Sequence, residues 1–211
     1  MVKCAVCQCE EHHDFIFRGE FSVPYCPEHA PTKLVIAING SGGVGKDTVC
    51  NIAGTAYEVC NRSSITPIKE IAKKYGNWNG QKDAKSRKFL SDLKLIFSEY
   101  CDLSFIYIIE ETFDFMHNPA NDVMFVHIRE PQEIQKYMNT LKAINIPCIS
   151  LLVTSDKQHK WNNMADDNVN NYNYDYVFHN NCSLKELPER FLKFFNNIIK
   201  DRYEYRKVIS R

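Results

Sequence analysis

Residues 35–48 read Val35-Ile-Ala-Ile-Asn-Gly-Ser-Gly-Gly-Val-Gly-Lys-Asp-Thr48, an apolar strand, a glycine-rich turn and then a helix that opens at Lys46. The spacing Gly40-x4-Gly45-Lys46 is that of a phosphate-binding (Walker A) loop. Glycines let the backbone turn tightly, so that successive N–H groups point inward, and the helix adds the positive end of its dipole. This stretch predicts a polyphosphate site made of Gly40, Ser41, Gly42, Gly43, Val44, Gly45, Lys46, Asp47 and Thr48.

Two other interpretations of these glycines are open. They also satisfy the dinucleotide pattern Gly-x-Gly-x-x-Gly, but that interpretation needs an acidic residue about 20 positions further on, at the end of the second strand. The second strand that we predict, Ser63 to Thr66, ends without one. A glycine-rich turn without a ligand is the other possibility. The order of strand, loop, lysine and helix favours phosphate, with Lys46 directed at the β- and γ-phosphates.

The composition argues against several classes of protein. The 211 residues suit one medium domain with a small appendage. With 26 basic and 26 acidic residues the formal net charge is zero, which gives no net attraction to nucleic acid or to an anionic membrane. No apolar run approaches the roughly 18 residues of a membrane span, and the N-terminus lacks a signal-peptide core. We therefore expect a cytoplasmic protein, in which clustered cysteines are metal ligands rather than disulfides.

The N-terminal stretch, residues 1–31, holds four of the nine cysteines. Its pattern is Cys4-x2-Cys7, 18 intervening residues and then Cys26-x2-His29, which predicts a closed, structural zinc site in a small ribbon-like module. Residues that could replace one of these ligands are Cys9, His12 and His13. Unligated cysteines in a loose tail are the other possibility. The aromatic segments between these two pairs of ligands predict a hairpin that turns at Gly19.

The role of this module is left open by the sequence. It could bind a protein partner, bind nucleic acid or brace the next domain. Acidic residues outnumber the two basic residues Lys3 and Arg18, which argues against a DNA-reading finger.

Strands and helices alternate after the linker at residues 31–33. The predicted strands are Leu34–Ile38, Ser63–Thr66, Val123–Ile128, Pro147–Val153 and Tyr174–Phe178, and the predicted helices include 46–60, 68–75, 89–100, 102–116 and one opened by a capping box at Ser183 and Glu186. This order predicts an α/β fold with a parallel sheet over residues 33–200 and a charged extension at 201–211. Because Gly40–Lys46 and Arg129 both follow strands, they should face one crevice.

Residues 34 to about 199 resemble the bacteriophage-type deoxynucleoside monophosphate kinases, within the wider group of P-loop nucleoside monophosphate kinases. The segments that match are Gly40-Ser-Gly-Gly-Val-Gly-Lys-Asp-Thr48, Thr66-Pro-Ile-Lys-Glu-Ile-Ala72, Lys82-Asp-x3-Arg87-Lys-Phe-Leu90, Ile128-Arg-Glu-Pro-Gln-Glu-Ile134 and Tyr172-x2-Asp175-Tyr-Val-Phe-x-Asn180. The resemblance implies a three-layer P-loop NTPase fold and a transferase that uses ATP and Mg²⁺. It also implies that Arg129 holds the substrate phosphate, with Lys69 and Arg87 beside it.

The sequence departs from this family at two places. The family often has an acidic residue at the position of His127, and histidine is a poor ligand for magnesium. The polar segment from Thr154 to Asn173, which we expect to be a lid, contains Lys157 and Lys160 but no arginine.

The sequence thus predicts phosphoryl transfer from ATP to a small phosphorylated acceptor, with Lys46 and Arg129 as the catalytic pair and a (deoxy)nucleoside monophosphate as the acceptor. The alternatives are a nucleotide-binding regulatory or adaptor protein with little kinase activity, and a kinase that acts on a nucleic-acid end or another phosphorylated metabolite. For Arg129, a simple ion pair with Glu133 is the competing interpretation.

Overall fold

The computed structural model describes residues 2–4, 8–10, 15–20, 22–26, 33–156 and 168–209, with residues 202–209 described by backbone alone. The strands and helices in chain order are β1 (Ile16–Arg18), β2 (Val23–Tyr25), β3 (Leu34–Asn39), α1 (Lys46–Gly54), β4 (Val59–Ser63), α2 (Thr66–Tyr75), α3 (Ala84–Cys101), α4 (Leu103–His117), β5 (Val123–His127), α5 (Pro131–Ala143), β6 (Cys148–Thr154), β7 (Tyr176–His179) and α6 (Leu187–Ile209). A short 3-10 turn, Val169–Asn171, precedes β7.

Five of the strands form one parallel sheet in the order β4-β5-β3-β6-β7. The central strand, β3, is buried at all six of its positions. Its residue Ile38 lies opposite His127 of β5 and Leu151 of β6, so the carboxyl ends of these three strands share one edge. The predicted α/β fold with a parallel sheet is confirmed.

Helices cover both faces of the sheet, because side chains alternate between faces along β3. Leu34, Ile36 and Ile38 pack into a core with α1 and α6, whereas Val35 and Ala37 pack into a second core with α4 and α5. Such a strand reads as a continuous apolar run, which is why the sequence identified it. The result is three layers with the loop after β3 at their common edge.

Two of the predicted boundaries are wrong. Helix α3 begins at Ala84 rather than at residue 89. The larger error lies between the first helix and the second strand of the sheet. Helix α1 ends at Gly54 rather than at Cys60, and the second strand of the sheet is Val59–Ser63 rather than Ser63–Thr66. Val59 and Cys60 fit a helical spacing, but they pair with Val123 and Met124 of β5. Ladder hydrogen bonds and half-burial against the sheet therefore outweigh the helical pattern at these positions.

The N-terminal hairpin is confirmed. Strands β1 and β2 pair antiparallel, with Ile16 opposite Tyr25, and the turn contains Gly19 at φ 73°. The predicted lid residues Lys157 and Lys160 lie outside the described residues. In the part of the chain that the structure describes, no helix combines the length and the apolar character needed to cross a membrane.

Candidate functional site: a glycine-rich loop and a cationic cluster

The loop Gly40–Thr48 leaves the carboxyl end of β3 and enters α1. Its glycines are required where the backbone takes positive φ, at Gly40 (146°), Gly43 (82°) and Gly45 (96°). A Cβ atom at Gly40 would lie 2.3 Å from the carbonyl oxygen of Val153 on β6, whereas nothing lies within 4 Å of a Cβ built at Gly43. The loop is thus held tightly at its start and is open at its middle.

Lys46 begins α1 and curls back over the loop. Its Nζ atom donates hydrogen bonds to the carbonyl oxygens of Gly40 and Ser41, the latter at 2.9 Å. The first turn of α1 also contains Asp47 and Thr48, both exposed. Backbone N–H groups at the start of a helix have no partner within the helix, so this turn offers donors and a positive dipole end to an anion.

Asn39, the last residue of β3, links the loop to the segment after β5. It is fully buried. Its Oδ1 atom accepts a hydrogen bond of 2.8 Å from the N–H of Gly40, and its Nδ2 atom donates to the carbonyl oxygen of Arg129 at 2.9 Å and to the Tyr174 hydroxyl at 2.8 Å. Sequence reasoning assigned no role to Asn39, although a single polar residue that ends an apolar strand just before a loop is a usable signal.

A second asparagine supports the loop from β7. Asn180 follows that strand, and its Nδ2 atom donates a 2.8 Å hydrogen bond to the carbonyl oxygen of Val44. A Cβ atom at Gly45 would approach the same Nδ2 atom to 2.5 Å. The loop therefore has contacts with β6 and with the residue after β7, which fix its conformation.

His127 lies beside the loop at the end of β5. Its Nδ1 atom is 4.0 Å from Oδ1 of Asp47, and its Nε2 atom is 3.9 Å from Sγ of Cys50. Burial lowers the pKa of His127, Lys46 and Lys69 lower it further, and Asp47 opposes them. The imidazole is therefore neutral at pH 7. Burial raises the pKa of the Cys50 thiol, which keeps it protonated.

Positive charges converge around Lys69 on α2. Burial lowers the pKa of this lysine, and the nearby charges of Lys82, Arg129 and Lys73 lower it further, whereas Asp47 raises it. Like charges near one another repel, and a bound anion would relieve that repulsion. The sequence anticipated Lys69 and Arg129 here but missed Lys82. The third anticipated residue, Arg87, is exposed on α3.

The ion pair considered as an alternative for Arg129 is contradicted by the structure. Lys94 of α3, only 12% exposed, donates to Glu130 at 2.6 Å and to Glu133 at 2.8 Å. Burial raises the pKa of Glu133 to about 7, and the charge of Glu130 adds to that effect, against the attraction of Lys94. Burial also opposes ionisation of Glu130, but the ammonium group of Lys94 lowers its pKa overall. The ion-pair partner of Glu133 is therefore Lys94, 39 positions away in the sequence, rather than Arg129.

The N-terminal thiols form a separate cluster. Cys4 and Cys26, both predicted as zinc ligands, lie together with Cys9, which the sequence offered only as a replacement. The three Sγ atoms all lie within 4.8 Å of one another. The other two predicted ligands, Cys7 and His29, and the alternatives His12 and His13 lie outside the described residues.

Comparisons with known proteins give a fold likeness only. No protein-family model matches the chain, and no curated protein matches it. Among solved structures it is similar to a point mutant of the APS kinase CysC of Mycobacterium tuberculosis, with 10% identity, a TM-score of 0.36, and 79% of this chain and 99% of that chain covered. It is also similar to TT1252 from Thermus thermophilus (15% identity, TM-score 0.45, 78% and 96% covered) and to APE1195 (13% identity, TM-score 0.39, 82% and 97% covered). At these identities and TM-scores the likenesses say nothing about a substrate.

Proposed function

We propose that this chain transfers the γ-phosphoryl group of ATP to a small phosphorylated acceptor, and that the acceptor is a nucleoside or deoxynucleoside monophosphate. Two features support this proposal, each suited in charge or in backbone donors to one of two anionic substrates. One is the loop Gly40–Thr48, and the other is the cationic cluster of Lys69, Lys82 and Arg129. Asn39 connects them through its hydrogen bonds to Gly40 and to Arg129.

In this proposal the loop binds the donor. Its N–H groups and the first turn of α1 hold the ATP phosphates, and Lys46 leaves the loop carbonyls to contact the β- and γ-phosphates. Magnesium supplies neutralisation of the phosphate charge in reactions of this type. The carboxylate of Asp47 and the hydroxyl of Thr48, both exposed in that first turn, are oxygen donors of the kind that this hard cation prefers.

The cationic cluster binds the acceptor. A phosphate oxygen of the acceptor attacks the γ-phosphorus of ATP, the bond to the β-phosphate oxygen breaks, and ADP and a diphosphate product leave. The protein forms no covalent bond in this scheme. Its contribution is to hold two anions in line and to neutralise the charge that would keep them apart. The exposed guanidinium group of Arg129 suits bidentate binding of a phosphate.

The choice of a monophosphate rests on the sequence segments around Lys69, Arg87 and Arg129. It is tested by a coupled assay of ATP consumption over the common nucleoside and deoxynucleoside monophosphates. We expect one or a few of them to stimulate ADP formation at a rate that Lys46→Ala abolishes. The exposed Lys142→Ala is the matched control and should act as wild type. A panel in which no monophosphate stimulates ATP consumption would contradict this acceptor class.

His127 favours a second candidate function, that of a nucleotide-binding regulatory or adaptor protein. A neutral imidazole 4.0 Å from Asp47 places a nitrogen atom where a magnesium shell would use oxygen. Tight binding of ATP without transfer to any member of the panel would support this candidate, and robust turnover would exclude it.

A further inference from the structure

The thiol cluster has the composition and spacing of a zinc site. Cys4 and Cys26 are 0% and 1% exposed, Cys9 is half-buried, and their Sγ atoms lie within 4.8 Å of one another. Two thiolates on one tetrahedral zinc ion, each with a Zn–S bond of about 2.3 Å, are about 3.8 Å apart. Three sulfur atoms within 4.8 Å of one another, from two separate chain segments, suit a soft metal, whereas a disulfide would join only two of them.

The backbone explains why Cys9 joins the cluster. The N–H of Cys4 donates a 3.0 Å hydrogen bond to the carbonyl oxygen of Cys9, and the N–H of Gln8 donates a 2.9 Å hydrogen bond to the carbonyl oxygen of Cys4. These bonds return the chain onto itself, so that residue 9 lies beside residue 4. Cys26 arrives from the end of strand β2, immediately after Tyr25.

Tyr25 anchors this region in the main core. Its side chain is fully buried in the same hydrophobic cluster as α1 and α6. Its hydroxyl donates a 2.8 Å hydrogen bond to the carbonyl oxygen of Ala56, and its ring centroid lies 5.4 Å from that of Tyr57. The residue next to Cys26 thus belongs to the same core as Val44 of the glycine-rich loop.

The hairpin turn makes a second set of contacts with the sheet. Arg18 pairs with Asp122 at 3.2 Å, and the N–H of Gly19 donates a 3.0 Å hydrogen bond to Glu58. Glu58 and Asp122 directly precede β4 and β5, so these contacts lie at the amino edge of the sheet, opposite the loop Gly40–Thr48. The backbone of Ala56 would lie 2.6 Å from a Cβ atom at Gly19, so only glycine fits this approach.

We propose that Cys4, Cys9 and Cys26 bind one zinc ion, and that this zinc-bound hairpin is a brace that stabilises the nucleotide-binding domain from the amino edge of its sheet. A two-stranded hairpin of three residues per strand has too little core to hold itself, so the metal supplies the missing free energy. Tyr25, Arg18 and Gly19 join the hairpin to the domain, through contacts with the segment after α1 and with the residues that precede β4 and β5. Order in the hairpin therefore stabilises these parts of the domain. Three thiolates leave one of the four positions of a tetrahedral zinc ion to a further ligand.

Metal content and cobalt substitution test the ligand set. The full-length protein, purified under reducing conditions, should contain one zinc per chain, and Co²⁺ in its place should give an intense near-ultraviolet thiolate charge-transfer band. Mutation of a residue that only hydrogen-bonds to a metal ligand typically weakens metal binding by roughly 10–100-fold. Cys9→Ser removes a ligand itself, so it should weaken binding by more than that and should reduce the charge-transfer band. Cys101→Ser, on α3 and not part of the cluster, is the control and should leave both unchanged. Wild-type protein without metal or charge-transfer band, or a Cys9→Ser variant that keeps both, would overturn the assignment.

Thermal unfolding of the zinc-loaded and chelator-treated protein tests the brace. Removal of zinc should lower the unfolding midpoint of the wild type. The shift should be much smaller in Arg18→Gln and in Gly19→Ala, which keep the three thiols but weaken the contacts with Asp122 and Ala56. Removal of the metal without any change in the midpoint would overturn the brace, as would an equal shift in wild type and Arg18→Gln. Neither result depends on kinase activity, so this proposal can fail while the proposed function stands.

Discussion

The side-chain Nδ2 atom of Asn39 donates a 2.9 Å hydrogen bond to the backbone carbonyl oxygen of Arg129. The same buried amide accepts from the N–H of Gly40, the first residue of the glycine-rich loop. One side chain thus sets the distance between the donor side and the acceptor side of the proposed reaction. Both partners are backbone groups, so the link is independent of which rotamer the Arg129 side chain takes.

Replacement of Asn39 by alanine should therefore misalign the two substrates. We expect kcat to fall by about 100-fold, because a shift of about 1 Å in substrate position has an effect of that order. Loss of the three hydrogen bonds of this amide should also lower the free energy of unfolding by about 1–3 kcal/mol. Steady-state kinetics and denaturant unfolding measure these two effects. The exposed Asn139→Ala is the control, and an Asn39→Ala variant with wild-type kcat would show that the link does not position substrates.

The glycines of the loop should differ in their tolerance of a side chain. Gly40→Ala puts a Cβ atom 2.3 Å from the carbonyl oxygen of Val153 and strains a positive φ, so we expect a loss of about 2–4 kcal/mol in unfolding free energy. Gly43→Ala meets only the cost of its positive φ, about 1–2 kcal/mol. Equilibrium urea unfolding ranks the two variants. Equal losses would mean that β6 does not constrain the loop.

The cationic cluster should affect the acceptor rather than the donor. Arg129→Ala and Lys69→Ala should each raise the KM for the monophosphate by about 10-fold or more, because each removes a charge-assisted contact worth about 1.5–3 kcal/mol. The dissociation constant for ATP, measured by calorimetry, should change little. Arg190→Ala, an exposed arginine on α6, is the matched control. A variant that loses ATP affinity and keeps its acceptor KM would assign the cluster to the donor instead.

Stability should depend on pH through Glu133. Burial raises the pKa of its carboxyl group to about 7 in the folded protein, above the ordinary value of 4.5. Between these values the folded state binds more protons than the unfolded state, so this group makes the protein less stable as pH rises from about 5 to 7. Glu133→Gln removes that effect.

We therefore expect Glu133→Gln to gain on the order of 1–3 kcal/mol relative to wild type between pH 5 and pH 8. Lys94 keeps its contact with Glu130 in the variant. Urea unfolding of both proteins at several pH values measures the difference. A difference that stays constant with pH would show that Glu133 is ionised throughout this range.

Much of the fold could be predicted because the signals are local. The apolar run of β3, the loop glycines and the capping box all lie within short windows. The capping box forms as expected: the N–H of Glu186 donates to Ser183 Oγ at 3.3 Å, and the N–H of Ser183 donates to Glu186 Oε2 at 3.1 Å. The boundary between α1 and β4 could not be predicted, because the spacing of Val59 and Cys60 suits either a helix face or a half-buried strand.

Asn39, Asn180 and Lys94 had no predicted role, and each contacts a residue far away in the sequence. Asn39 and Arg129 are 90 positions apart, Asn180 and Val44 are 136 apart, and Lys94 and Glu133 are 39 apart. A single sequence contains no periodicity or spacing that reports such pairs. Only the order of strands in the sheet brings them together.

Single-turnover transfer from γ-labelled ATP tests the central claim most directly. Enzyme in excess over ATP is mixed with the monophosphate that stimulates ATP consumption, and the label is followed by chromatography. If both phosphate sites act as proposed, the label appears in the nucleoside diphosphate made from the acceptor, and Lys46→Ala and Arg129→Ala greatly slow its appearance. Label that stays in ATP for every acceptor, or that appears only as inorganic phosphate, would contradict the account.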